Sequence, residues 1–177
     1  MTALAQIDTY GTLAAPDTLQ MTRLLPGPID RVWAYLTESD LRRKWLASGV
    51  MELKVGAPFE LTWRNEELEN AGPRPEGFDE EHRMESRITE LDPPHRLGFQ
   101  FGTSGEVTIA LEEQGDQVLL TLTHRRLPDR EIMLKVAAGW HAHLDVLVAK
   151  AADELPKPFW RNWTRLREEY AERIPAA

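Results

Sequence analysis

The sequence predicts an α+β fold in which a curved antiparallel sheet wraps around a long helix near the carboxy terminus, within one domain. Three observations carry this. Four segments between His82 and Arg125 alternate apolar and polar residues with period two and are joined by short turns. One face of those segments is apolar throughout, so another element must cover it. The stretch beginning at Arg130 repeats its apolar residues at helical spacing for long enough to be that cover.

Residues 1–16 lack sustained periodicity and are expected to form a loose arm ahead of a domain spanning 17–155. Asp17 to Leu25 alternates as a strand, ended by Pro26-Gly27-Pro28. A helix follows, with Ile29, Val32, Trp33 and Leu36 at helical spacing and Asp30 complementing its amino terminus. Ser39 caps a second short helix that runs to Leu46. Met51, Leu53 and Val55, then Phe59, Leu61 and Trp63, alternate again and predict a strand pair broken at Gly56-Ala57-Pro58. Asn65 to Glu81 is acidic and punctuated by Pro and Gly, with Leu68 and Phe78 as its large apolar residues. A loop of that length inside a compact domain suits a lid.

Strands are predicted at His82–Leu91, Arg96–Phe101, Glu106–Glu113 and Gln117–Arg125, consecutive neighbours because their connections are short. Their dry face carries Met84, Ser86 and Ile88, then Leu97, Phe99 and Phe101, then Val107, Ile109 and Leu111, and finally Val118, Leu120, Leu122 and His124. The covering helix is predicted over Arg130–Leu155, with Ile132, Val136, Trp140, His143, Leu144, Leu147 and Ala151 on one stripe. Pro156 and Pro158 stop it. Residues 156–177 then supply an amphipathic helix, from Trp160 to Arg173, that packs on or extends the same domain.

Composition narrows the function classes. The chain has 177 residues, 21 basic and 29 acidic, for a formal net charge of −8. That field repels backbone phosphates, so no nucleic-acid partner is expected. There is no cysteine, which excludes thiol catalysis, iron–sulfur clusters and Cys-based zinc sites and suits a reducing cytoplasmic setting. No continuous apolar run approaches the ~18–20 residues that cross a bilayer, and Met1 to Gly11 lacks the pattern of a signal peptide, so membrane insertion is not expected.

The order of elements is that of the helix-grip fold. The segments MELKVGAPFELTW, MESRITELDPPHRLGFQF and LTLTHRRLPDREIMLKVAAGWHAHLDVLVAKAADEL resemble the SRPBCC (START-like) superfamily, and within it the branch named after the carboxy-terminal domain of the activator of heat-shock protein 90 ATPase. The resemblance covers roughly Thr18 to Leu155, and its most specific parts are Glu90-Leu91-Asp92-Pro93-Pro94, Leu122-Thr123-His124 and Gly139-Trp140 followed by Leu144 and Leu147. It implies a deep cavity between sheet and long helix, used by different members for lipids, sterols, polyketides and other apolar ligands. Some relatives are cyclases, but the branch implies no fixed catalytic set.

Candidate ligand-binding residues are Trp63, Met84, Ser86, Phe99, Ile109, Leu120, His124, Val136, Trp140, His143 and Leu147. His124 and His143 share the apolar parity of strand and helix. They are either acid/base groups in one cavity or histidines satisfied by local hydrogen bonds. His141 and His143, two apart on a helix, point in nearly opposite directions, and His141 with Asp145, expected to be exposed, is too small a set for a metal shell. Ser86 has no neighbouring base and no nucleophile elbow. No phosphate loop or dinucleotide fingerprint is present, so no cofactor is expected.

The expectation is therefore a binder of a small apolar or amphipathic ligand, gated by the loop from Asn65 to Glu81, with no catalytic residue assigned. Two alternatives stand beside it. One is a cyclase, dehydratase or hydrolase using His124 or His143. The other is a co-chaperone-like module that docks a chaperone, or a second copy of the chain, through the outer sheet face or the helix bearing Trp160 and Trp163.

Overall fold

A computed structural model describes residues 8–175. Seven strands form one antiparallel sheet: β1 (Thr12–Ala15), β2 (Thr18–Pro26), β3 (Pro58–Trp63), β4 (His82–Asp92), β5 (Arg96–Gln100), β6 (Glu106–Gln114) and β7 (Gln117–Arg125). Their spatial order is β1-β2-β7-β6-β5-β4-β3. The helices are α1 (Ile29–Thr37), α2 (Ser39–Arg42), α3 (Arg130–Ala151) and α4 (Phe159–Arg173).

Period-two alternation does the work in the sheet. In β2 and β7 every second residue is buried, and the register Leu19↔His124, Met21↔Leu122, Arg23↔Leu120 and Leu25↔Val118 sets their inward side chains opposite one another. Fully burying one such aliphatic side chain stabilises the fold by about 1.5–3 kcal/mol. A register irregularity between Ile88 and Glu90 divides β4. Its first half pairs with β3 and its second half with β5. The first half of β4 is therefore unpaired on the side of the Gln100–Ser104 turn, leaving a gap in the backbone ladder that the Met84 side chain enters, lying against Gly102.

Two expectations are corrected here. Residues 12–15, expected in a loose arm, form β1 along the edge of β2. Side chains from elsewhere hold the preceding residues: Arg23 Nη1 donates to the Thr9 carbonyl at 2.7 Å, and the Gly11 N–H donates to the Tyr170 hydroxyl at 2.7 Å. The rest of the expected arm, residues 1–7, lies outside the described residues. Second, no strand forms over Met51–Val55. An isolated bridge joins Ser48 to Thr62, after which Gly49, at φ +145, turns the chain away. A side chain at Gly49 would meet the Glu60 carbonyl oxygen at 1.9 Å, and Pro58 has no N–H for a ladder on β3. Val50, Leu53 and Val55 are left exposed.

Asp129 caps α3 by accepting from the Ile132 N–H at 2.8 Å, a contribution of about 1 kcal/mol. The helix ends at Ala151, four residues before the expected stop at Leu155. Asp153 there adopts a left-handed φ of +55, and the Glu154 N–H returns to the Ala149 carbonyl at 2.8 Å, closing a Schellman turn that Asp rather than Gly supplies. By length and composition α3 is apolar enough to cross a membrane, and 67% of its most apolar window is buried inside this fold. It is buried on more than the predicted stripe because the sheet covers one side and α4 another. Met133, Leu134, Ala137, Ala138, His141, Ala142 and Val146 are all buried, whereas Ile132 and Val136 are only partly so.

Candidate functional site

The partly exposed start of α3 is where the interior opens. A cleft of about 530 Å³ lies between α3, the ends of β3, β4 and β5, and the first turns of α4. From α3 come Ile132, Lys135, Val136, Gly139, Trp140 and His143. The sheet side supplies Trp63, His82 and Phe101, and α4 supplies Phe159, Trp160 and Trp163. The mouth is closed by Asn65 and by residues 77–80 of the long loop. Phe78 sits against both Trp160 and Trp163, with ring centroids 5.0 and 4.9 Å away. At Gly139 an added Cβ would meet nothing within 4 Å, so the helix presents open space there.

His143 is the polar side chain built deepest into this wall. Its Nδ1 lies 2.8 Å from the Trp45 carbonyl oxygen. A carbonyl only accepts, so Nδ1 carries the proton and Nε2 holds a lone pair. Burial pushes the pKa of the imidazole from 6.5 down to about 4, which keeps it neutral at pH 7. Trp45 is itself fixed, fully buried with its indole N–H donating to the Tyr35 carbonyl at 2.8 Å. The turn that carries Trp45 is held by buried Arg42, whose guanidinium donates to the carbonyls of Leu36, Thr37, Ala47 and Gly49. Arg42 thereby satisfies carbonyls that the end of α1 leaves open, and its own pKa falls to about 10 through burial.

Of the candidate ligand-binding residues, the structure brings Trp63, Val136, Trp140 and His143 together in this cleft. Met84 and Ser86 line the separate gap of about 940 Å³ between the first half of β4 and the Gln100–Ser104 turn, beside the charged Glu60, Arg83, Glu85 and Arg87. His82 and Phe101 border both spaces. Phe99, Ile109, Leu120, Leu147 and His124 are corrected to packed core: Leu120 and His124 have no exposed surface, and Phe99 and Ile109 bound only a void of about 10 Å³. Parity put these residues on the inner face, but the close approach of α3, α1 and the sheet leaves no room beside them.

His124 has a structural place. Its Nε2 donates to the Ser104 carbonyl at 2.6 Å and its Nδ1 accepts from the Trp140 indole at 3.1 Å, so both nitrogens are occupied. His141, expected at the surface, is buried, with Nδ1 2.7 Å from the Tyr170 hydroxyl and Nε2 3.6 Å from Asp145. Asp145 also pairs with buried Arg23 at 3.3 Å and accepts from Asn162 at 3.0 Å. Among the described residues no three His, Cys, Asp or Glu side chains gather as a metal site.

Gly139, Phe159 and the cleft-facing roles of Phe78 and Trp160 escaped sequence reasoning. Two signals pointed to them: a glycine in the middle of an otherwise strong helix, and a lone aromatic in a polar loop.

Beyond the polar atoms already paired, two buried ones on lining residues have no hydrogen-bond partner among the described residues: Trp160 Nε1, a donor, and Asn65 Oδ1, an acceptor. The cleft is thus walled mainly by apolar and aromatic side chains, with the imidazole of His143 and the rim residues Asp79, Glu80 and Lys135 as polar members, the composition of small-molecule sites.

Comparison with known proteins fits this architecture. The family model described as activator of Hsp90 ATPase homolog 1-like protein matches residues 26–152. The chain is similar to the solution NMR structure of the protein encoded by gene BPP1335 from Bordetella parapertussis, with 37% identity over 99% of this chain and 97% of that one and a TM-score of 0.81. It shares its fold with CalU16 from Micromonospora echinospora, at 23% identity over 90% and 89% of the two chains and a TM-score of 0.67. It also shares it with a conserved protein of unknown function, EF2215, from Enterococcus faecalis, at 20% identity over 92% and 90% and a TM-score of 0.66. No curated protein matches the chain.

Proposed function

This chain belongs to the family of activator of Hsp90 ATPase homolog 1-like proteins, with the SRPBCC (START-like) fold, and we propose that it binds a small apolar or amphipathic molecule in the cleft between sheet and α3. The carrying observation is the cleft itself: an aromatic-walled space of about 530 Å³ that the protein's own side chains leave unfilled. Removing hydrocarbon from water provides the driving force at ~25 cal/mol per Å², so a ligand hiding 200 Å² of apolar surface gains roughly 5 kcal/mol before its ordering costs. The side chain of Phe78, laid over Trp160 and Trp163, excludes solvent from the bound molecule.

The test fills the space from within. Gly139 faces the cleft from a helix at ordinary φ, so Gly139→Leu adds bulk there without backbone strain and with better helix propensity. Wild-type protein is expected to bind the neutral apolar dye Nile red with a rise in fluorescence, and Gly139→Leu is expected to lose that binding while unfolding at the same or higher urea concentration. Equal dye binding by a folded Gly139→Leu variant would contradict the assignment.

A further inference from the structure

Given that the cleft binds an apolar molecule, whatever holds its α4 wall in place decides how fast that molecule leaves. Phe159, Trp160 and Trp163 in the first turns of α4 line the cleft, and the later turns are held elsewhere. α4 crosses α3: Phe159 meets His143 on the cleft face, 4.7 Å between ring centroids, whereas the Tyr170 hydroxyl lies 2.7 Å from His141. Two apart on α3, those histidines point in nearly opposite directions, so the second contact lies away from the cleft.

The segment before β1 closes over that second contact. Tyr10 lays its ring against His141 and Tyr170, with centroids 4.9 and 5.7 Å away, and its hydroxyl donates to Glu169 of α4. The guanidinium of Arg173 stands 3.5 Å over the same ring. The Tyr170 hydroxyl accepts from the Gly11 N–H at 2.7 Å and donates to His141 Nδ1, because Asp145 beside Nε2 keeps the ring proton on that side. Arg23 of β2 completes the seat by donating to the Thr9 carbonyl at 2.7 Å. At Gly11 an added Cβ would come within 2.8 Å of Leu19 and Met21, so the backbone lies directly on β2. Residues 9–11 thus tie the far half of α4 to β2 and α3 at once.

The near end of α4 follows an exposed connector, residues 152–155. There the Trp160 N–H donates to the Ala71 carbonyl at 3.1 Å and the Asn70 amide to the Pro156 carbonyl at 2.8 Å, so the long loop over the cleft is fastened to α4. Tyr10 and α4 both lie outside residues 26–152, the span that the family model matches.

We propose that residues 9–11 are a latch on α4. Engaged, they keep its aromatic side chains on the cleft; released, they let α4 lift on the 152–155 connector and free the ligand. Such lifting is a local unfolding event, read directly by amide exchange and by the rate of ligand release. Loss of a cation–π contact, with or without one hydrogen bond, shifts an opening equilibrium by up to about tenfold.

The experiment compares wild-type protein with Tyr10→Ala and Arg173→Ala by segment-resolved amide hydrogen exchange and by stopped-flow dissociation of Nile red. Neither residue lines the cleft, so faster release in these variants does not come from a lost wall contact. Both are expected to speed exchange in α4, by about tenfold for Tyr10→Ala, while β6 and β7 exchange as in wild type, and to speed dye dissociation by a similar factor. Unchanged exchange in α4, or a loosened α4 with unchanged dye dissociation, would overturn the latch and leave the cleft standing. Equal acceleration in β6 and β7 would overturn it too, by making Tyr10 part of the common core. Wild-type protein that binds no Nile red would instead overturn the cleft assignment on which the latch rests.

Discussion

Nε1 of Trp140 donates to Nδ1 of His124 at 3.1 Å, tying α3 to β7 directly behind the cleft wall. Because His124 Nε2 is committed to the Ser104 carbonyl, this bond is what satisfies the other side of a histidine with no exposed surface. Trp140→Phe keeps the apolar wall and orphans that nitrogen. Urea denaturation is expected to show a loss of about 1–3 kcal/mol, with dye affinity changed only a few-fold. A variant as stable as wild type would show that this hydrogen bond contributes nothing net.

Burial, the largest cause at each, pushes His124, His141 and His143 from 6.5 down to about 4. In the unfolded chain the same rings protonate near ~6.5. Between those values the unfolded state therefore holds more protons than the folded state, and stability falls as pH falls. The urea midpoint is expected to decline steadily from pH 6.5 towards pH 4, with proton uptake on unfolding in that window. A midpoint that stays level across it would show that the three rings are not held neutral.

Asp145 is the anion on which buried Arg23 depends, at 3.3 Å, and burial already lowers the arginine's pKa. Asp145→Ala leaves that guanidinium uncompensated and is expected to cost about 3–5 kcal/mol in urea denaturation. Replacing both residues, as Arg23→Met with Asp145→Leu, is expected to recover most of the loss. Equal damage from the single and double variants would show that shape rather than charge is at stake.

Phe78 covers the cleft from a loop while remaining 39% exposed. Phe78→Ala is expected to leave the urea midpoint nearly unchanged and to speed dissociation of Nile red several-fold in stopped-flow displacement. Unchanged dissociation would mean that the dye enters and leaves without displacing this ring.

Period-two alternation made β4 to β7 legible because one face of each is dry, and Val107, Ile109, Leu120 and Leu122 lie where that parity puts them. The same pattern misled at Met51–Val55, because after the single Ser48–Thr62 bridge Gly49 turns the chain away from the free edge of β3. Parity assigns a face and says nothing of depth. Leu120 and Leu147 therefore looked as available to a ligand as Trp63 and Val136, and only the crossing of α3 and the return of α4 separate filled core from open cleft. His143 was legible as a buried histidine on the covering helix, but the Trp45 carbonyl that sets its tautomer lies 98 positions away in the chain. The site contributed by α4 was hidden because Trp160 and Trp163 read as one apolar stripe of a terminal helix, with nothing to indicate which surface it meets.

The tryptophans offer the most direct measurement, because four of the six line the cleft and the other two, Trp33 and Trp45, do not. In ¹H–¹⁵N spectra recorded during titration with Nile red, the indole N–H signals of Trp63, Trp160 and Trp163 are expected to move while those of Trp33 and Trp45 stay in place. Saturating probe that shifts none of the cleft indoles, or that shifts Trp33 and Trp45 instead, would contradict a ligand site between α3 and the sheet.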